Sequence, residues 1–107
     1  MLVFIGLGSN LENPKVQIEK ALSALSLSNG VAVNEVSSFY ESKPLLEMPG
    51  PNYINAVCSI NTSLDAIDLL DICQGIENDQ KRVRDVKWGS RTIDLDCLLY
   101  TSDAADE

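Results

Sequence analysis

The spacing of apolar residues changes several times along this chain, and the order of those changes restricts the fold more than any other feature. Leu2-Val3-Phe4-Ile5 is a short apolar run closed by Gly6 and Gly8, the pattern of a buried strand, and Gly8-Ser9-Asn10 reads as the turn after it. Asn13 offers an N-cap, and Pro14 a first helical residue whose missing N–H costs nothing. Ile18, Ala21, Leu22 and Leu25 then recur at helical spacing, which predicts an amphipathic helix from Pro14 to about Leu27, ended by Asn29-Gly30. Val31 to Tyr40 is rich in β-branched and aromatic residues and reads as a second strand. Glu41 to Asn52, with three prolines and a glycine, is a long loop. Tyr53 to Thr62 alternates again, with Ala56, Cys58, Ile60 and Thr62 on one face. Thr62 or Ser63 can cap a second helix over about Leu64 to Asp79, with Ala66, Leu69, Leu70, Cys73 and Ile76 as its core stripe. A basic loop, Val83 to Ser90, leads to a last strand, Arg91 to Tyr100.

The order is β-α-β-β-α-β. It predicts an α+β fold of ferredoxin-like arrangement, a four-stranded antiparallel sheet with two helices on one face. The other face of such a sheet is free for a ligand. The 107 residues suffice for one domain with a single modest core. No apolar run approaches the roughly 20 residues of a membrane span, and no basic leader marks a signal peptide, so cytoplasm is the expected location. Cys58, Cys73 and Cys97 sit in apolar patterns at spacings unlike a zinc site and are expected to be buried free thiols. Histidine is absent, which removes imidazole from any mechanism within the chain.

The last strand carries the chemistry. Ile93, Leu95, Cys97 and Leu99 fall on one face, Asp94 and Asp96 on the other. Two carboxylates at i and i+2 are either a solvated strand face or a compact oxygen site for a hard cation such as Mg²⁺. Net charge is −8, which disfavours nucleic acid. Yet of eight basic residues, Lys81, Arg82, Arg84, Lys87 and Arg91 crowd immediately before the acidic pair. Arginine forks match polyphosphate oxygens, and phosphoryl transfer asks of a protein mainly metal ions, cations and alignment. Trp88 beside Gly89 is either a loop anchor or a cover for a flat ring. Glu77 projects within the core stripe of the second helix, at the rim of the core or facing a site. Gly6-Leu7-Gly8-Ser9-Asn10 lacks the Gly-Lys-Ser/Thr of a phosphate loop, and its glycines are expected to serve the turn and close packing. Ser42, Pro44 and Leu45 open the long loop, and Tyr53 and Asn55 open the third strand; an asparagine can read an amide-like ring edge, and a tyrosine can wall it.

These pieces together resemble the 6-hydroxymethyl-7,8-dihydropterin pyrophosphokinases of folate biosynthesis. The matching stretches are Ile5-Gly6-Leu7-Gly8-Ser9-Asn10-Leu11, Ser37-Ser38-Phe39-Tyr40-Glu41-Ser42-Lys43-Pro44, Tyr53-Ile54-Asn55-Ala56-Val57, Ile76-Glu77, Arg82-Val83-Arg84 and Trp88-Gly89-Ser90-Arg91-Thr92-Ile93-Asp94-Leu95-Asp96, in family order over Met1 to Tyr100. The last is the most specific. The resemblance implies transfer of a whole pyrophosphoryl group from ATP to the pterin hydroxymethyl, giving AMP. By position it implies that Asp94 and Asp96 hold two Mg²⁺ ions, and that Arg82 and Arg91 contact phosphates during transfer. Gln74, Glu77, Arg84 and Trp88 would serve the nucleotide, and Ser42, Pro44, Leu45, Tyr53 and Asn55 the pterin. The implied partners are these two small molecules, with no nucleic acid and no membrane, and a monomeric state.

Three positions depart from the family pattern. Ser42 stands for the usual threonine, keeping the hydroxyl; Ser90 stands for a proline before the arginine; Lys81 stands for a glycine at the helix exit. Thr101 to Glu107 has no family likeness and is expected to be a disordered tail on a domain, residues 1–100, that lacks the family's C-terminal part. A fragment of that kind is expected to be weakly active or inactive. The alternative from another class is a non-catalytic ferredoxin-like module that binds a small ligand. The acidic pair beside the arginines favours the kinase, because a regulatory module needs no metal pair.

Overall fold

The computed structural model describes residues 1–10, 13–43, 51–81 and 93–101. In chain order the elements are β1 (Leu2–Ser9), α1 (Pro14–Leu27), β2 (Val31–Val36), β3 (Tyr40–Ser42), β4 (Tyr53–Thr62), α2 (Ala66–Lys81) and β5 (Asp94–Thr101). They form a five-stranded sheet of order β2-β4-β1-β5 with β3 also on β4, antiparallel at every pairing. The architecture is α+β.

The strand expected over 31–40 is two strands. Both pair with β4, but the register shifts between Val33 and Glu35, and again between the pairs Val36↔Cys58 and Tyr40↔Asn55. Ser37 makes the break tolerable: its N–H bonds to Val57 O at 2.8 Å, and its hydroxyl accepts the Val57 N–H at 2.9 Å. An edge interrupted in this way is a poor template for another chain.

One face of the sheet is apolar by strict alternation. Val3, Ile5 and Leu7 of β1 and Ala56, Cys58 and Ile60 of β4 are all at most 2% exposed. They form one core with Ile18, Ala21 and Leu25 of α1, Leu69, Cys73 and Ile76 of α2, and Ile93 and Leu95. Both helices therefore cover the same face. The expected core stripe of α2 is narrower than its spacing suggests, since Ala66 is exposed and Leu70 is 47% exposed.

The helix ends also differ from expectation. Asn13 precedes α1 in the left-handed region, at φ 59°, with no side-chain cap bond. It contributes its carbonyl, which accepts from the Gln17 N–H at 3.1 Å, and a tolerance of positive φ that Asn shares with few residues. At α2 neither Thr62 nor Ser63 is the cap. The Thr62 hydroxyl donates to Gly30 O at 2.6 Å and accepts from Leu64 N at 3.0 Å, so it braces the turn into β2. The cap is Asp65, whose carboxylate accepts the Asp68 N–H at 2.9 Å. Gly30, at φ +86°, occupies the turn where a side chain would be strained and would meet Leu64 at 3.0 Å. At its other end α2 continues through Lys81.

β1 runs to Ser9, so Gly8 and Ser9 lie in the strand rather than in a turn. Ser9 and Asn10 are 0% and 2% exposed, and the Asn10 amide donates to Pro51 O at 3.1 Å, tying the end of β1 to the approach of β4. β5 includes Thr101, which pairs with Leu2; the rest of the expected tail, 102–107, lies outside the described residues. The alternation of β5 holds only as far as Cys97. The register then slips between Phe4 and Ile5, placing Leu99 opposite Phe4. Cys58 and Cys73 are buried free thiols as expected, whereas Cys97 is exposed: among the described residues β5 lies at the edge of the sheet, and α2 is the helix it chiefly contacts. Among the described residues no helix is long and apolar enough to cross a membrane.

Candidate active site

The face of the sheet away from the two helices gathers the described candidate residues of the strands in two rows. Across one row β1 places Gly8 opposite both Asn55 of β4 and Asp94 of β5, and Tyr40 of β3 continues it beyond Asn55. Across the next, Gly6 lies between Val57 and Asp96. Residues directly opposite in an antiparallel sheet project from the same face. Asn55 and the acidic pair therefore look across a central strand that has no side chain at either facing position. With neighbouring strands about 4.8 Å apart, the Asn55 and Asp94 backbones stand about 10 Å from each other. The result is a trough with an amide wall and a carboxylate wall, floored by Gly8 in the first row and by Gly6 beneath the Leu98 side chain in the second.

The floor depends on glycine. A Cβ on Gly8 would come to 3.2 Å from Asn55 Oδ1 and 3.7 Å from the Tyr53 ring. A Cβ on Gly6 would come to 3.2 Å from the side chain of Leu98, which is 57% exposed on the same face. Glycines at i and i+2 in a strand were the sequence signal for this floor. Of the two roles expected for them, close packing holds and the turn does not, because neither has a positive φ and it is their missing side chains that are used.

The amide wall is oriented from β3. Asn55 Nδ2 donates to Ser42 Oγ at 2.9 Å and to Tyr40 O at 3.3 Å. A backbone carbonyl only accepts, so the NH₂ must face β3 and Oδ1 must face the Gly8 floor. The wall thus presents an acceptor to the trough. Ser42, which pairs with Tyr53, and the Tyr40 carbonyl fix that polarity. Tyr40 has no sequence signal for this role, since its contribution is made by backbone. Tyr53 and Asn55 are half-buried and Ser42 is exposed.

The carboxylate wall consists of Asp94, half-buried, and Asp96, exposed. Between them Leu95 turns its side chain into the core, 5% exposed, and its N–H outward from β1 to Glu77 Oε2 at 2.7 Å. Glu77 is half-buried on α2 and reaches the outer edge of β5 through this bond, and Gln74 is exposed one turn earlier on the same helix. Pro44, Leu45, Arg82, Arg84, Trp88 and Arg91 lie outside the described residues. A separate open cleft of about 510 Å³ near the start of α1, lined by Asn13, Lys15, Glu41 and Asn52 among others, includes none of the candidate site residues.

The titration anomalies belong to the thiols behind the sheet. Burial pushes the Cys58 thiol up to about 11. Burial, with smaller contributions from Cys97 and Glu77, pushes Cys73 to about 12. Cys97 is also raised, mainly by desolvation, while its hydrogen bond with Cys73 works the other way. These groups stay protonated at neutral pH and offer no thiolate nucleophile.

A family model described as 7,8-dihydro-6-hydroxymethylpterin-pyrophosphokinase matches residues 4–104. The chain is 50% identical over 97 residues to a 2-amino-4-hydroxy-6-hydroxymethyldihydropteridine pyrophosphokinase of Haemophilus influenzae, covering 91% of this chain and 61% of that protein. It is 43% identical over 104 residues to the protein of the same description from Pseudomonas aeruginosa, covering 97% of this chain and 64% of the relative. It is 38% identical over 99 residues to the folic acid synthesis protein fol1 of Schizosaccharomyces pombe, covering 92% of this chain and 14% of that protein. The chain thus spans about three fifths of the length of the first two relatives.

Proposed function

The chain belongs to the 7,8-dihydro-6-hydroxymethylpterin-pyrophosphokinase family, and we propose that it serves ATP-dependent diphosphate transfer to 6-hydroxymethyl-7,8-dihydropterin in folate biosynthesis. The hydroxymethyl oxygen attacks the β-phosphorus of ATP. An O–P bond forms there, the bond from that phosphorus to the oxygen bridging the α-phosphate breaks, and AMP leaves with that oxygen. The hydroxyl proton is lost, and the pterin diphosphate is the product.

The observation that carries this reading is the row Asn55–Gly8–Asp94. A flat heterocycle with N–H donors on its edge is matched by the Asn55 acceptor, whose orientation Ser42 and Tyr40 hold. Tyr53 supplies an aromatic wall beside it, and Pro44 and Leu45 would extend that wall from the long loop. A hydroxymethyl arm reaching across the glycine floor then arrives at Asp94 and Asp96.

The acidic pair suits Mg²⁺ in the chemistry of its donors. Among the described residues no group of three or more His, Cys, Asp or Glu converges that could hold a metal ion. Two carboxylates alone leave positions for water and phosphate oxygens, which Mg²⁺ prefers to a closed protein cage. Asp94 and Asp96 would hold two ions, which when bound neutralise charge on the phosphates. Arg82 and Arg91 would clamp those phosphates, and Gln74, Glu77, Arg84 and Trp88 would serve the nucleotide. Residues 1–100 would form one pyrophosphokinase domain of ferredoxin-like arrangement, its edge strand broken into β2 and β3; the strand order and the two helices on one face support that. The protein would act as a cytoplasmic monomer on small molecules, without nucleic acid, in keeping with a net charge of −8.

Binding of a non-hydrolysable ATP analogue tests the reading. Binding should require Mg²⁺, and Asp94→Ala and Asp96→Ala should each remove that requirement along with at least about tenfold in affinity, with the fold retained. Metal-independent binding, unchanged in both variants, would leave a small-ligand module and sink the kinase reading.

A further inference from the structure

We infer that Glu77 is a positioning residue for the Asp94–Asp96 pair. The inference rests on the reading of those aspartates as cation ligands. Among the described residues β5 lies at the edge of the sheet, and β1 is the strand that supports it by sheet bonds. The Leu95 N–H points away from β1 and donates to Glu77 Oε2 at 2.7 Å, a short hydrogen bond. A strand alternates the direction of its amides, so Asp94 and Asp96, on either side, turn theirs toward β1, where they face Gly8 and Gly6. The tripeptide is thereby held from three points: twice from the inner edge by β1, and once from the outer edge by α2.

The third point is itself anchored. Cys73 and Ile76, on the same face of α2, are 1% and 7% exposed in the core, and they fix the helix from which Glu77 projects. Leu95 is 5% exposed against the same core. Backbone and side chain of the residue between the two carboxylates are both immobilised. Just beyond, the register of β5 slips between Phe4 and Ile5. The strand needs an external hold close to the site, because its own pairing becomes irregular within a few residues of it. Two carboxylates that share a cation are useful only at a fixed separation, and supporting bonds of this kind supply it. Glu77 thus acts on the metal pair through the backbone of β5, apart from any contact it makes with nucleotide.

The test measures Mn²⁺ affinity, as a spectroscopic stand-in for Mg²⁺, and the amide hydrogen exchange of Leu95 without metal. Glu77→Met keeps helix propensity but removes the acceptor. It should speed Leu95 exchange and weaken Mn²⁺ binding, each by about tenfold. Glu77→Asp keeps the charge on a side chain one methylene shorter and should behave like Glu77→Met, with less risk to the fold. Glu77→Gln retains an acceptor oxygen and should stay close to the parent in both readouts. Parent-like Mn²⁺ affinity in Glu77→Asp and Glu77→Met overturns the inference. So does a Glu77→Gln as weak as Glu77→Met, which would make the charge rather than the bond decisive. Asp94→Ala and Asp96→Ala separate the two levels. If they too bind Mn²⁺ as the parent does, or if the parent binds none, the metal reading itself fails. If they lose binding while Glu77→Met keeps it, only the positioning role fails.

Discussion

Asn55 shows how one side chain acquires a direction. Asparagine has a donor end and an acceptor end, and nothing in its own sequence neighbourhood says which one a ligand meets. The Tyr40 carbonyl decides, because it can only accept, and Ser42 reinforces it. The acceptor is left over Gly8, with room for ligand only because Gly8 has no side chain. Gly8→Ala should therefore be nearly silent for stability, within about 1 kcal/mol, since Gly8 has no positive φ to protect. On the proposed reading it should weaken pterin binding by about tenfold or more, because the added methyl crowds the Asn55 acceptor at 3.2 Å. Titration calorimetry with the pterin, beside a urea melt, checks both halves; unchanged affinity would mean that the ligand does not cross this floor. At this scale the residue types of the site were legible in the sequence: Asp94 and Asp96 by strand alternation, Tyr53 and Asn55 by position after the loop. The polarity of Asn55 was not, since it is set by a backbone atom fifteen residues away on another strand. Nor was the bond from the Leu95 N–H to Glu77, which depends on how α2 lies along β5.

At the scale of elements, local pattern placed both helices and the strands β1, β4 and β5 but misjudged several ends, and it merged β2 with the start of β3 while giving Glu41 and Ser42 to the loop. The sequence pattern points to Thr62 or Ser63 as the cap of α2, and the structure corrects this to Asp65. Thr62 spends its hydroxyl on Gly30 O and Leu64 N, and Asp65, directly before Ala66, accepts the Asp68 N–H and caps the helix. Asp65→Ala should lower stability by about 1 kcal/mol, and the melting temperature by about 4–8 °C. Ser63→Ala, at an exposed position, should change it by less than about 0.5 kcal/mol. Equal losses in thermal melts of the two variants would refute the assignment. The break between β2 and β3 escaped for a related reason. Residues 31–40 have uniform β propensity, and what divides them is the shift in register against β4, a property of the pairing rather than of the segment.

For the whole molecule, the same core that carries the trough on its far side has two thiols in it. Cys58 on β4 and Cys73 on α2 are each 1% exposed, and they join the sheet to the helix that reaches the acidic pair. Their burial was legible from the apolar pattern; the exposure of Cys97 was not, because β5 becomes an edge strand only once the topology is known. Burial raises the folded-state values from 9.0 to about 11 for Cys58 and about 12 for Cys73. An acid whose value is raised on folding holds more protons folded than unfolded at pH between the two values. Stability must fall with rising pH in that interval, being fully present below about 9 and lost as pH passes toward 11–12. The urea midpoint should be level from neutral pH to about 8.5, then decline. Other groups titrate in alkali too, so the comparison that isolates the thiols is the Cys58→Ala/Cys73→Ala double variant. At neutral pH it should be the less stable protein, by about 1–3 kcal/mol for the volume lost. As pH rises the parent should lose stability faster, because only it must keep two thiols neutral or bury two thiolates. The two curves should therefore converge as pH rises from 9 toward 11. A gap that stays constant across that range would mean that these sulfurs reach water in the folded protein, and that the joint between β4 and α2 is looser than its packing indicates.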